Sequence, residues 1–379
     1  MILTARPADL RTALARQLRG EAVPWESWGR SSAELLEACN EEDLTGLVCH
    51  AARGPLSTDW PGEVRRLFDR AAAALAAEEL LRQRELKQVL NVLAPLGIHP
   101  ILLKGTALAY SIYPSPDQRP RKDTDMLIRH EEVDRLRPAL RQAGYVEPVY
   151  CDGELLFCQF EMQKLDQFGF CHALDFHWKI STQALFANLL SYDEMSAVAT
   201  PLPSLGPHAR GPGLLHSLLL ACVHPVMHHR GVERLLWVYD VHLLASRLPA
   251  ADWDPFVRLA RGRRVSAICH TQLLLARNRF GTRVPQEVLE ALGSGSGDEP
   301  SVAYLATGRR WHDEVGSNLR ALRTWRERLQ LLCEIALPSA GYMMKSYHLP
   351  DRALTRVLLP LLYAHRGIKG AMKVVTGRK

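Results

Sequence analysis

The spacing of apolar residues divides the chain into three stretches of different period. From Ala8 to about Leu96 they recur at three- and four-residue intervals, the repeat that gives a helix one buried face. Pro61 to Leu96 reads as one long helix, with proline near its start and Gly97 just past its end, where these residues favour helix boundaries. Leu67, Ala71, Ala74, Leu75, Leu80 and Leu81 mark its expected buried face.

The period changes near Ile98. His99 to Leu103 reads as a short buried strand, followed by a helix from about Thr106 to Tyr113. Pro114, Pro116 and Pro120 keep the next stretch irregular, because proline lacks an amide donor and fixes φ. Thr124 to Ile128 alternates as a strand, and Glu131 to Ala143 is helical up to Gly144. Further strands are expected at Tyr145 to Tyr150, Leu155 to Lys164 and Phe170 to Trp178.

From about Leu214 the helical period returns, over 214–229, 232–246, 252–278, 284–292, 300–312, 316–335 and 352–374. Gly293 to Gly297, reading GSGSG, is a flexible loop, and no internal repeat is visible. The expected fold is therefore α+β. An N-terminal helical region (1–96) precedes a small mixed-sheet core (97–205) and a helical C-terminal domain (206–379).

With 379 residues the chain can bury more than one core. A composition of 47% hydrophobic and 23% charged residues is that of a soluble globular protein. No apolar run approaches the roughly 20 residues needed to span a bilayer, so no transmembrane segment is expected. The first residues form an arginine-bearing amphipathic helix without the features of a signal peptide, and a cytoplasmic location follows by default.

The eight cysteines are scattered with no CxxC pair, which indicates neither a zinc knuckle nor a disulfide framework. The formal charge of +6 would ease binding of an anionic substrate but does not identify nucleic acid as a partner. Much of the excess lies in Arg352, Arg356, Arg366, Lys369, Lys373, Arg378 and Lys379. This reads as a solvated helix face with a frayed tail; the alternative is an RNA or membrane-surface contact.

The chemistry concentrates between Ile101 and Ile128. Asp123 and Asp125 flank Thr124, and carboxylates two residues apart on a strand share a face. Such a pair suits Mg2+, which takes oxygen ligands from one or two carboxylates plus substrate phosphates. Upstream stands Lys104-Gly105-Thr106. A strand running through glycine into a helix exposes amides that cradle phosphate. Thr106 can cap or donate, and Lys104 can neutralise phosphate or snorkel from the strand end.

Arg119 and Arg121 precede the aspartates, and guanidinium groups bind phosphates bidentately. The alternative for both is a loop surface charge; the triphosphate role is kept for Arg119 alone. In Ala173-Leu174-Asp175-Phe176-His177-Trp178, Asp175 and His177 alternate with apolar residues. Burying Asp175 there is costly unless it is paired or metal-bound, so it is a candidate third ligand or general base. His177 either orients a carboxylate or substrate or is structural. His224, His228 and His229 lack the glutamate of a zincin helix and are read as structural or surface histidines. Asp240 is expected to pair with a histidine or arginine.

Taken in order, Leu103-Lys104-Gly105, Arg119-Pro120 with Asp123, Asp125 and Leu127, Leu174-Asp175 with His177-Trp178, and Arg234 to Asp240 form a recognisable set. This set resembles the uncharacterised nucleotidyltransferase family of the polymerase-beta-like nucleotidyltransferase superfamily, over most of the chain. The resemblance implies a minimal nucleotidyltransferase core. Asp123 and Asp125 would hold two magnesium ions, Asp175 would be the third carboxylate, and Gly105 and Thr106 would contact the triphosphate. Two departures stand out: Gly-Thr where superfamily members usually carry Gly-Ser or Gly-Gly, and a longer loop before Asp123.

The implied reaction is attack of an acceptor hydroxyl on the α-phosphorus of a nucleoside triphosphate such as ATP, with pyrophosphate leaving. A small-molecule acceptor is favoured over protein or RNA, because the modest charge lacks a clustered basic stripe. The alternative is a non-catalytic nucleotide- or partner-binding module on the same fold.

Overall fold

The computed structural model describes residues 10–54, 57–148, 158–229, 231–306, 309, 311–350 and 352–376, with the backbone alone for 311, 371 and 373–376. Outside the described residues lie the start of the expected N-terminal helix, the end of the 145–150 strand, the start of the 155–164 strand, and Cys151. The side chains of Lys373, Arg378 and Lys379 lie outside as well.

Helices α1 (Leu10–Leu18), α2 (Ser32–Glu41) and α3 (Thr45–Ala52) lead into the long α4 (Gly62–Leu93). Then come β1 (Ile101–Leu102), α5 (Lys104–Ser111), β2 (Thr124–Leu127), α6 (Val133–Gln142), β3 (Gln159–Leu165) and β4 (Cys171–His177). Short α7 (Ala184–Ala187), α8 (Tyr192–Ala197), β5 (Thr200–Pro201) and β6 (Arg210–Gly211) complete the middle of the chain. The remainder is α9 (Leu214–His229), α10 (Leu235–Arg247), α11 (Trp253–Gly262), α12 (Ser266–Phe280) and α13 (Gln286–Gly293). It ends with α14 (Trp311–Ala321), α15 (Trp325–Ala336), α16 (Ala340–Ser346), α17 (Ala353–Arg356) and α18 (Leu359–Thr376).

The strands form one mixed six-stranded sheet in the order β3-β4-β2-β1-β6-β5. β2 runs parallel to β4 with Asp125 opposite Asp175 and Leu127 opposite His177, while β3 is antiparallel to β4 with Glu161 opposite Asp175. Alternation along each strand then sorts side chains by face. Met126, Leu174, Phe176, Phe160, Met162 and Leu102 pack against the second half of α4 and against α6, in one core with Leu86, Leu90, Leu93, Leu136 and Leu140. Each fully buried side chain of this kind contributes about 1.5–3 kcal/mol. Asp125, Asp175, His177 and Glu161 occupy the alternate positions, and the parallel and antiparallel registers bring them side by side on the other face.

A second, larger core joins the N-terminal helices to the helices after Leu214. At their junction the Glu42 carboxylate accepts the Leu235 amide at the start of α10 (2.8 Å) and pairs with Arg11 (2.7 Å). An anion at a helix N-terminus is favourably placed against the exposed amides and the dipole.

Several expectations are corrected. The buried stripe of α4 is Val64, Phe68, Ala72, Leu86, Val89, Leu90 and Leu93, whereas Leu80 and Ala74 are exposed. The expected helix over 252–278 is two helices, because the chain turns at Arg263–Val265 with Arg264 left-handed at φ 58°. The 300–312 segment is a 3-10 turn, Pro300–Tyr304, and the next helix starts at Trp311. From the 145–150 strand, Val146 makes an isolated bridge to Gln163.

Candidate active site

Asp125 sits inside β2, with its carboxylate on the face away from α4. Its Oδ1 receives two donors, the Lys104 ammonium at 2.7 Å and His177 Nε2 at 2.8 Å. Lys104 stands at the strand-to-helix corner in a left-handed conformation, φ 48°, uncommon for a residue with a side chain. The corner is anchored by the Leu103 amide, which donates to the Asp125 carbonyl at 2.9 Å. Backbone and side chain of β2 thus both hold the Lys104 turn.

Asp175 lies beside Asp125 through the parallel register. Oxygens of Asp125 and Asp175 and a ring nitrogen of His177 all fall within 4.8 Å of one another. Asp123 precedes β2 by one residue and is exposed, yet it is close enough to interact electrostatically with Asp125, Asp175 and His177. Sequence reasoning singled out all three carboxylates; it left His177 undecided and missed Glu161. The signal for Glu161 was present, since Phe160-Glu161-Met162 places one acid between two core residues on an expected strand.

The electrostatics of the three aspartates diverge. Burial opposes ionisation of Asp125, but the Lys104 charge and the His177 hydrogen bond outweigh it and hold the carboxyl well below its usual range. Asp175 is pushed up to about 7, by burial first and then by the negative charges of Asp125, Asp123 and Glu161. Desolvation and Asp125 also raise Asp123. His177 is lowered by burial, with its Asp125 bond opposing. The imidazole is therefore neutral at pH 7 and donates from Nε2. Three carboxylates share one ammonium, which leaves the site short of positive charge.

α5 begins at this corner and exposes its first amides. Thr106 Oγ1 is buried and makes no hydrogen bond to the described residues. Gly105 packs under the following loop: a Cβ there would lie 3.4 Å from Arg121 Cβ and 3.5 Å from Arg119 Nη1.

Those two arginines are placed differently from the sequence expectation. Arg119 is buried and forks onto Asp240 of α10, with Nε to Oδ1 at 2.9 Å and Nη2 to Oδ2 at 2.8 Å; Nη1 donates to the Pro120 carbonyl. Tyr113 donates to the same Asp240 at 2.6 Å. Arg121 is not a surface charge but forks onto Glu79 of α4 at 2.8 Å from each end nitrogen. Glu79 also accepts from Tyr110. Both guanidinium groups are committed within the chain, so the triphosphate role expected of Arg119 is not carried forward. Asp240 does pair with an arginine, as expected.

The histidines of α9 come nearer to the site than the sequence suggested. The helix continues through Pro225, carrying His224 and His228 on one side, and both sense the charges of Lys104 and Asp125. Burial first, then the lysine, keeps each well below the usual histidine range. His224 Nδ1 and His228 Nε2 are buried without a hydrogen-bond partner among the described residues. His229 stacks on Trp237 with ring centroids 4.2 Å apart. A separate hollow of about 530 Å³, lined by Val226, Val232, Arg234, His270 and Leu275 among others, shares no residue with the acid cluster.

The geometry defines an α+β protein whose mixed sheet presents a cluster of carboxylates that could hold a metal ion, beside a strand-to-helix corner. A family model described as uncharacterised nucleotidyltransferase matches residues 30–281, and the chain belongs to that family. No curated protein matches it. The match takes in the acid cluster, the Lys104 corner and the Arg119–Asp240 clamp, and ends before α13.

Proposed function

We propose that the protein is a Mg2+-dependent nucleotidyltransferase built on a polymerase-beta-like core, moving a nucleoside monophosphate from a nucleoside triphosphate to an acceptor hydroxyl with release of pyrophosphate. The observation that carries this reading is the charge imbalance: Asp123, Asp125 and Asp175 share one Lys104, and burial together with the neighbouring carboxylates pushes Asp175 up to about 7. The donor set fits a divalent ion, since Asp125 and Asp175 offer oxygens within 4.8 Å of one another and Asp123 adds a third carboxylate. His177 is already bonded to Asp125 and orients that ligand, as partners of ligating groups do. When bound, magnesium would supply charge neutralisation at the phosphates and acidify the attacking hydroxyl.

The remaining work falls to the chain. Asp175, beside Asp125 on the open face of the sheet, is the carboxylate that accepts the proton of the acceptor hydroxyl. The α5 amides, Gly105 and Thr106 receive the triphosphate, and the unused Thr106 hydroxyl is one donor for it. Lys104, 2.7 Å from Asp125 at the start of α5, stands where its charge would also face a triphosphate held by that corner. A small-molecule acceptor and a cytoplasmic setting complete the proposal.

The test supplies ATP, CTP, GTP and UTP labelled at the α-phosphate, with magnesium and a desalted extract, to wild type and Asp175→Asn. Label moving onto an acceptor with wild type alone supports the proposal. Nucleotide binding with no label moved and no pyrophosphate released by wild type would instead favour the non-catalytic module.

A further inference from the structure

We infer that the C-terminal helices α17 and α18 form a peripheral docking face for an anionic lipid surface. The region lies beyond the family match, which ends at residue 281. Its outer side is not the polar face of a solvated helix. Leu354 on α17, Val357 in the turn after it, and Leu361 and Ile368 seven residues apart on α18 are 88%, 76%, 69% and 60% exposed. The side of α18 that carries Tyr363 and Arg366 is fixed: Tyr363 donates to the Pro338 carbonyl at 2.5 Å and Arg366 sits over the Tyr342 ring, while His365, on the side of Leu361 and Ile368, lies with Nδ1 2.8 Å from the Tyr347 hydroxyl. Exposed leucines therefore do not result from a helix lying free; α18 is docked by one face and presents the other. On α15, Trp325, Leu329 and Leu332 make a second exposed stripe at i, i+4 and i+7.

Charge selects the occupant. After Asp351 the sequence holds Arg352, Arg356, Arg366, Lys369, Lys373, Arg378 and Lys379 and no acidic residue. Two copies pairing through this face would set cations against cations. Among the described residues the exposed Arg352 and Lys369 share the segment with these apolar positions, a combination that matches a surface that is greasy below and anionic above. No described helix is long and apolar enough to cross a membrane, so the helix lies in the surface rather than through it. RNA would satisfy the charge but leave the aliphatic stripe in water.

The full chain is mixed with zwitterionic vesicles and with vesicles containing roughly one-third anionic phosphatidylserine, then sedimented. The expected result is at least about tenfold tighter binding to the anionic vesicles, weakening between about 0.1 M and about 0.5 M salt. Leu361→Glu/Ile368→Glu should lower that binding about tenfold or more and Lys369→Glu a few-fold, with unchanged circular dichroism melting. The idea is overturned by equal sedimentation with both vesicle types, by folded Leu361→Glu/Ile368→Glu that binds like wild type, or by a wild-type dimer that Ile368→Glu converts to monomer.

Discussion

Two groups of charges lie within a few residues of each other, one buried and one at the open face of the sheet, and behave in opposite ways. In the loop before β2, Arg119 meets Asp240 and Arg121 meets Glu79, each pair a two-pronged fork of equal and opposite charge. On the sheet, three aspartates meet one lysine. The forks bind the loop to α10 and α4 with matched charges; the acid cluster keeps an excess of negative charge. Balanced buried charge marks the scaffold, and unbalanced buried charge marks the place where something else is expected to bind.

The sharpest way to break this contrast is to remove one charge from each side. Asp175→Asn deletes a carboxylate that burial and neighbouring acids already raise to about 7, so that it is about half protonated at pH 7 without metal and the fold should lose little; its melting temperature should stay near wild type. Transfer, however, should fall by about a thousandfold or more, about 4 kcal/mol of transition-state stabilisation. Near-normal turnover by this variant would remove Asp175 from the mechanism. Asp240→Asn is the mirror experiment. It leaves the buried Arg119 without its counter-charge and should cost about 3–5 kcal/mol of stability by chemical denaturation, with magnesium affinity retained in the folded fraction. If Asp240→Asn instead unfolds at the wild-type denaturant midpoint, the clamp is not what holds the loop.

Steric support of the same loop gives a smaller effect. Gly46 of α3 lies against the turn before Arg119: a Cβ there would stand 2.4 Å from the Asp117 carbonyl oxygen and 2.8 Å from Gln118 Cα. Backbone cannot step aside as a flexible side chain can, so Gly46→Ala should destabilise by about 1–3 kcal/mol. A thermal melt identical to wild type would show that the loop yields freely.

How much of this was legible in the chain depends on how local each signal is. Asp123, Asp125, Asp175 and the Lys104 corner could be read because alternation and a strand-glycine-helix transition act over a few residues. The Arg119–Asp240 fork spans 121 residues. Both partners were singled out, but nothing in local spacing pairs them, and Arg119 was assigned to the substrate instead. β1, β5 and β6 have two residues each, too few to show a period, which is why β5 and β6 went unread. His224 and His228 looked like helix-face histidines because what lies opposite that face is set by tertiary packing. Apolar spacing located α4 but shifted its buried face, since the helix also buries Glu79 and Glu85 against Arg121, Tyr145 and Lys164.

The mildest probe is pH, read at the acid cluster. Asp175 has a folded pKa of about 7 against an ordinary 3.8. A raised carboxyl stabilises the folded chain through its retained proton, fully below about pH 4, and that contribution is lost as pH rises through about 7. A divalent cation reverses the preference because it competes with the proton, so magnesium affinity should rise about tenfold from pH 6 to pH 8 and flatten above. The raised carboxyl of Asp123 adds in the same direction. Calorimetric titration with magnesium at the two pH values should show this rise, accompanied by proton release at pH 6. Asp175→Asn should flatten most of the profile. Equal affinity at pH 6 and pH 8 in wild type would mean that Asp175 does not take part in holding the ion, and would leave Asp123 and Asp125 as its carboxylate ligands.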